Sequence, residues 1–571
     1  MASDDGGVRG GGFELRTRTV GALPVINAML DRLGIEDRLA GAVGADPRVT
    51  LAPAAALGVL LRNIIEARIP LYALGEWAAE RDPRLLGLPD DPSGVLNDDR
   101  VGRALDRLFD ADRAALASGI AVAAIRRFGI GLDELHNDST SITLQGRYPR
   151  ASGQTIRGQK TAEITRGHNK DYRPDLKQLL WVLTVSADGA VPVHYRICDG
   201  NTNDVEPHAG IWDTLVALAG RSDFLYVADS KLCTRENMDH IARRGGRFLT
   251  VLPRSRGEDG EFREWIRTNT PAWVLVRENG TLPDRTLDAY LACEAPWPSA
   301  EGHRIVWVLS TAKRQRDAET RRSRIKKASE RLDELAAKLQ GPKARIRTKA
   351  GADQAAQAIL KDTRTERYLD ITLAARTEPS YRQERPGRPG AQTRYRRTSR
   401  ARIALTWAVR DEQVAADAAA DGMFPLITNS RDLSPGELLD RYKYQPCLER
   451  RHEQLKSGLE VVPMWLKSVA RIEAILLLHF VALLVRALME REIRRRMKAE
   501  DVQTLPLYPE DRECPAPTAE RILAVFATLQ RHELIAGGQV VQTFEPELTV
   551  TQRRVLRLLG LPASICRTAT S

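Results

Sequence analysis

The chain has 571 residues, 43% of them hydrophobic, which is enough for two to four domains with cores of their own and excludes a disordered protein. Its 86 Lys+Arg against 75 Asp+Glu leave a net charge of +11, a balance suited to a polyanionic partner. Six scattered cysteines (Cys198, Cys233, Cys293, Cys447, Cys514, Cys566) contain no Cys-x-x-Cys pair and no zinc-finger spacing, so they read as reduced, mostly buried thiols. The N-terminal "MASDDGGVRGGGF" lacks both the basic start and the apolar core of a signal peptide, and lacks the Lys-Ser/Thr of a phosphate loop. Cytoplasm is the expected compartment, and no ATPase is expected.

In chain order, residues 13–128 carry apolar residues at three- and four-residue spacing, as in "ALPVINAMLDRLGIEDRLA", and predict a helical domain. From Leu132 the texture becomes β-rich: "LHNDSTSITLQG" reads as a strand, and two apolar runs flanking Asp188-Gly189 read as a hairpin. "SDFLYVADSKLCTRENMDHIARRGGRFLTVLPR" then predicts a strand, a helix from about Thr234 to Gly245-Gly246, and another strand. Residues 255–420 interrupt this pattern as an inserted subdomain with strands such as "HRIVWVLS". Within it, an amphipathic basic helix stops at Gly341-Pro342, and "RPGRPGAQTRYRRTSR" reads as a loop. From Lys313 to Arg402 there are 26 Lys+Arg and 11 Asp+Glu, so the rest of the chain sums to −4. That segment either tracks DNA phosphates or is a solvated stretch; its place inside the chain favours DNA.

Regular structure resumes at residue 421. Ser434, Pro435 and Glu437 form the start signal of a helix, and Pro446 predicts a break and a second helix up to Ser457. "AILLLHFVALLV", Ala474–Val485, is too short to cross a bilayer by itself and reads as a buried helix, with His479 a packed core histidine; no membrane contact is expected. Residues 496–571 are expected to be a C-terminal helical region.

Asp138 lies inside the first β strand, where a carboxylate is costly to bury unless paired, hydrogen-bonded or bound to metal. Asp229 ends the strand "FLYVAD", where it either points into a site or caps the following helix. Two carboxylates on adjacent strands and a third on a later helix are able to hold two divalent ions about 3.5–4 Å apart, the arrangement used for in-line displacement at phosphorus. Mg²⁺ requires such hard oxygen ligands. Glu449 and Glu453, in "YKYQPCLERRHEQLKS", compete for the third place.

That last stretch, with "HNDSTSITLQGRY", "GHNKDYRPDLKQ" and "YVADSKLCTREN", resembles the DDE transposases of bacterial insertion sequences marked by Tyr-x2-Arg-x3-Glu-x6-Lys. Tyr442, Glu449 and Lys456 match three of its four positions, and Gln445 stands at the arginine position. The resemblance implies an α/β, RNase H-like mixed sheet flanked by helices. Its two parts, 130–254 and 421–495, would be split by the 255–420 insertion and preceded by the N-terminal helical domain, which would then be available for binding DNA ends. It implies Asp138, Asp229 and Glu449 as a metal triad for two Mg²⁺ or Mn²⁺ ions, which selects Glu449 over Glu453. It also implies that Tyr442, Lys456 and the Gln445 position contact DNA. The implied activity is cleavage at terminal inverted repeats and joining of 3′-hydroxyls to target double-stranded DNA by a synaptic homodimer. A catalytically inactive DNA-binding relative and a structure-directed nuclease are the alternatives.

Overall fold

The computed structural model describes residues 13–46, 48–90, 94–149, 151–203, 208–282, 285–341, 344–459, 461 and 466–567. The glycine-rich N-terminal stretch and Pro342 of the expected helix stop lie outside these residues. The fold is mixed α/β and comprises two units, Met1–Thr250 with Asp440–Ser571, and Val251–Leu439.

The first unit opens with a strand where the sequence predicted helix. β1 (Phe13–Thr19) pairs along its whole length with a strand more than 500 residues away, from Phe13↔Ala536 to Thr19↔Gln530. That partner forms a hairpin with Gln539–Phe544, so the C-terminal region is not wholly helical. Helices α1 (Leu23–Leu33), α2 (Ile35–Val43), α3 (Pro53–Glu66), α4 (Asp98–Asp110) and α5 (Arg113–Phe128) follow. Asn97 and Asp112 cap α4 and α5 by accepting the backbone N–H of Arg100 and Ala115.

Next come β2 (Glu134–Leu144), β3 (Lys177–Ser186), β4 (Val191–Cys198), β5 (Leu225–Ala228) and β6 (Arg247–Val251). Their spatial order is β4-β3-β2-β5-β6. β2 is antiparallel to β3 and parallel to β5, and β5 is parallel to β6. The β3–β4 hairpin turns at Asp188-Gly189, where Gly189 takes φ +84°, as the sequence signal required. Helices α6 (His208–Ala219) and α7 (Arg235–Arg243) make the crossovers, and Thr234 caps α7 through the Asn237 N–H at 3.3 Å.

In the second unit β7 (Val274–Thr281), β8 (Leu287–Glu294), β9 (Arg304–Ser310) and a strand at Met423–Thr428 form an antiparallel sheet. Helices α8 (Thr311–Gln340) and α9 (Lys349–Thr363) pack through Ala328, Leu332, Ala356 and Leu360. Between α9 and the last strand of the sheet runs a two-stranded ribbon, β10 (Leu369–Gln383) against β11 (Tyr395–Val409), in register over fifteen residues. Only 385–394 of the expected loop is irregular; Tyr395–Arg400 belongs to β11.

The polypeptide re-enters the first unit through α10 (Pro435–Tyr442), which the Ser434–Glu437 capping box starts: Ser434 N–H donates to Glu437 Oε2 at 2.8 Å and Glu437 N–H to Ser434 Oγ at 3.3 Å. α11 (Gln445–Glu453) then begins with Pro446 in its first turn and loosens into a π-helical turn, Gln454–Gly458. α12 (Val469–Ala499) is long and apolar enough to cross a membrane, yet its most apolar window is wholly buried inside the protein. It packs on α3, α4 and β4, with Phe480 stacked on Tyr195 at 4.7 Å and Tyr195 on Trp181 at 4.8 Å. Each fully buried leucine here contributes roughly 1.5–3 kcal/mol. His479 is the core histidine expected: its Nδ1 donates to the Ile475 carbonyl at 2.8 Å.

Candidate active site

The site lies where β5 stops beside the middle of β2. The parallel pairing ends at Asn137↔Ala228, so Asp138 and Asp229 are the next residues of two adjacent strands, which run about 4.8 Å apart. β2 continues because β3 pairs with its other edge, with Asp138 opposite Leu183. Asp229 leaves the sheet and caps the short turn Ser230–Leu232, accepting the Lys231 N–H at 3.0 Å, while Thr250 Oγ1 holds its carbonyl at 2.5 Å. Capping and facing the site are therefore compatible for Asp229.

Four anchors bring α11 to this point. Arg441, at the end of α10, pairs with Glu134 at the start of β2, and Glu134 also bonds His136 Nε2 at 2.7 Å. The Tyr444 ring lies 4.8 Å from that of His136. Arg451 donates to the hairpin carbonyls of Gly189 and Ala190, both at 2.9 Å, and pairs with Glu490 of α12 at 2.7 Å. Both partners of this last pair are almost fully buried, and Glu490 also accepts from Gln454 and the Ala519 N–H. The consequence is that α11 lies against β2 with Leu448, Arg451 and His452 inward and Glu449 exposed at its edge.

Tyr442 reports the convergence. Burial, then the negative charges of Asp229, Glu449 and Asp138, push its phenol up to about 12. All three expected carboxylates therefore act on one side chain. Glu453, the rival to Glu449, is exposed and is not among the charges that reach Tyr442. Gln445, one turn before Glu449, has its side-chain oxygen buried with no hydrogen-bond donor. No arginine is aligned there in its place.

The polar loop before β3 supplies two further charges. Lys170 Nζ donates to Ser139 O at 2.6 Å and Oγ at 2.7 Å and stands 3.6 Å from Asp138 Oδ1. Asp171 accepts from Thr143 Oγ1 at 3.1 Å and pairs with Lys456 at 2.5 Å. The loop is pinned by a close backbone approach at which only glycine fits. A Cβ on Gly167 would lie 2.0 Å from the Gly200 carbonyl oxygen, which also accepts from Gln178 Nε2 at 2.7 Å. Lys456 lies in the π-helical turn, from which it reaches Asp171.

His452 lies one turn after Glu449. It is buried, with Nε2 3.7 Å from Asp138 Oδ2 and neither ring nitrogen hydrogen-bonded. Burial, with Lys170 and Lys456 nearby, drives its pKa down to about 3, so the imidazole is neutral. No spacing rule links His452 or Lys170 to Asp138 in the sequence; only the fold brings them together.

Asp138, Asp229 and Glu449 form an all-oxygen donor set of the kind Mg²⁺ prefers. Among the described residues, no three His, Cys, Asp or Glu side chains are already gathered tightly enough to enclose a metal ion. The Lys170 ammonium stands beside Asp138 instead, and the Glu449 side chain is exposed.

A family described as a domain of unknown function, DUF4277, matches residues 15–122, which run from within β1 into α5. No curated protein matches the chain. Among solved structures, the chain is similar to a piggyBac transposase in a synaptic complex with hairpin DNA, with a TM-score of 0.28 and 10% identity. That likeness covers 50% of this chain and 60% of the other.

Proposed function

We infer that the chain is a metal-dependent DNA transposase that binds terminal inverted repeats, cleaves at the element ends and joins the 3′-hydroxyls to target DNA. The observation that carries this reading is the side-by-side placement of Asp138 and Asp229 just past one parallel strand pairing, with α11 packed on β2 and Glu449 at its edge. The β4-β3-β2-β5-β6 order, antiparallel on one side of β2 and parallel on the other, supports an RNase H-like catalytic sheet. The Tyr442, Glu449 and Lys456 spacing supports the insertion-sequence assignment.

Asp138, Asp229 and Glu449 would hold two Mg²⁺ or Mn²⁺ ions. When bound, these ions supply an activated water or 3′-hydroxyl and positive charge for the leaving oxygen. The protein's own groups do the rest. Tyr442, its phenol kept protonated at neutral pH, donates a hydrogen bond to a phosphate oxygen. Lys456 and Lys170 place two ammonium groups beside the carboxylates; exchanging Asp171 for a DNA phosphate costs Lys456 little, since one anion replaces another. Neutral His452 adds no charge next to Asp138. A homodimer would hold two ends in synapsis within the bacterial cytoplasm.

A second reading, a DNA-binding relative without turnover, is favoured by one observation: Gln445, where the motif has arginine, offers no guanidinium to a phosphate. The test separates the two. Purified protein is incubated with Mg²⁺ and a linear duplex that carries the native sequence flanking the gene. Wild type is expected to cut and to join ends, while Asp138→Asn, Asp229→Asn and Glu449→Gln each lower cleavage at least about 10³-fold with DNA binding retained. Undiminished cleavage by Glu449→Gln refutes the transposase reading, cutting without joining points to a nuclease, and wild-type binding without cutting selects the second reading.

A further inference from the structure

The ribbon β10–β11 has two halves of different character. At its base Leu369, Leu373, Ile403 and Leu405 pack on α8 and α9. From Arg376 to Arg402 it continues with nine arginines, two glutamates and no lysine, and nearly all of these residues are exposed whichever face they occupy. A two-stranded ribbon that buries neither face is marginally stable in water, so this half lacks the partner that would steady it.

The register indicates the chemistry of that partner. Arg376 lies opposite Arg402, and Arg382 opposite Arg396. Like charges directly across a strand pair are destabilising. Arg402 is compensated by Glu378 at 3.2 Å and the Gly341 carbonyl at 2.9 Å. Among the described residues, Arg376, Arg382, Arg385, Arg388, Arg396 and Arg397 have no acidic partner. Such an array is complementary to a polyanion. Pairing also sorts the faces: Ser380/Thr398 and Arg382/Arg396 share one, Tyr381/Arg397 and Gln383/Tyr395 the other. At the tip, Arg385 and Arg388 are each followed by Pro-Gly, and a Cβ on Gly387 or Gly390 would meet nothing within 4 Å, so the tip is slender. Pro379 has no N–H to offer a further strand along its edge, which disfavours a protein strand as the occupant.

We propose that the distal ribbon, residues 376–402, is a duplex-DNA clamp: Arg376, Arg382 and Arg396 lie along the phosphates, and the Arg385–Arg388 tip enters the minor groove. A two-stranded ribbon is narrow enough for a DNA groove, and arginine is favoured where the minor groove is narrow and its potential most negative. The proposal rests on the DNA-processing reading above and assigns a gripping role outside the carboxylate site.

The experiment measures binding of the full chain to a mixed-sequence duplex across a salt series. It compares wild type with Arg376→Gln/Arg382→Gln/Arg396→Gln and with Arg385→Ser/Arg388→Ser. The triple variant should bind about 10- to 100-fold more weakly near 0.1 M salt, with a log–log salt slope shallower by about 2–3, since each phosphate contact contributes about 0.9. Netropsin, a minor-groove ligand, should weaken wild-type binding and leave that of the tip variant nearly unchanged. Circular dichroism melting checks that these exposed substitutions leave the fold intact. Wild-type affinity, slope and netropsin response in both variants would overturn the clamp. If such variants still cut DNA, the clamp fails and the transposase reading stands; ribbon-dependent binding by a wild type that does not cut leaves the clamp and removes the transposase reading.

Discussion

At the end of β5 two acids have a cation beside them: Lys170 stands 3.6 Å from Asp138, and Lys456 2.5 Å from Asp171. Behind them Arg451 and Glu490 are paired out of water. On the distal ribbon, by contrast, Arg382 faces Arg396 across the strands and neither has an acid beside it. The first region holds Asp138 and Asp171 in ion pairs that are themselves partly buried. The second carries charges that contribute nothing to its own stability and become useful on an external anion. The proposed function thus draws on paired charges at one place and on exposed arginines at the other.

The comparison is broken most strongly at the buried pair. Arg451→Ala leaves Glu490 as a buried charge without its main partner, at a cost of about 3–5 kcal/mol, and frees the Gly189 and Ala190 carbonyls. Denaturant melts should show a loss of that size, with cleavage falling in parallel as α11 loosens. A smaller effect follows from acid. Burial pushes His479 down to about 4. Because the folded form resists protonation, the stability this residue contributes is intact above about pH 6.5 and is lost as pH falls through about 4, up to about 3 kcal/mol. Hydrogen exchange should show α12 weakening between pH 7 and pH 5, and His479→Leu should flatten that dependence; an unchanged slope would remove His479 as its source. The smallest effect sharpens the contrast: the ribbon substitutions that weaken DNA binding should move unfolding by no more than about 0.5 kcal/mol.

Local signals in the sequence marked much of this scaffold. Asp188-Gly189, Thr234 and Ser434-Pro435-Glu437 each encode a turn or cap that needs only near neighbours, and all three formed where expected. Strand-borne Asp138 and Asp229 were legible for the same reason. Contacts closed over long sequence distances were not. β1 has its partner at Gln530–Ala536, and "FELRTRT" alone gives no sign of it. No near neighbour in the sequence marks Lys170 or Asp171, which the Gly167–Gly200 contact folds onto β2. The second ribbon strand was hidden because "RYRRTSR" lacks the apolar alternation of a half-buried strand.

The central claim is that these carboxylates are metal ligands, and a ligand swap tests it most directly. In Asp229→Cys a thiolate, a poor ligand for Mg²⁺, replaces a hard oxygen donor, whereas the softer Mn²⁺ tolerates sulfur. DNA cleavage by this variant should be lost in Mg²⁺ and recovered, at least in part, in Mn²⁺. Full activity in Mg²⁺ would contradict the claim, as would inactivity in both metals by a variant that melts and binds DNA like wild type.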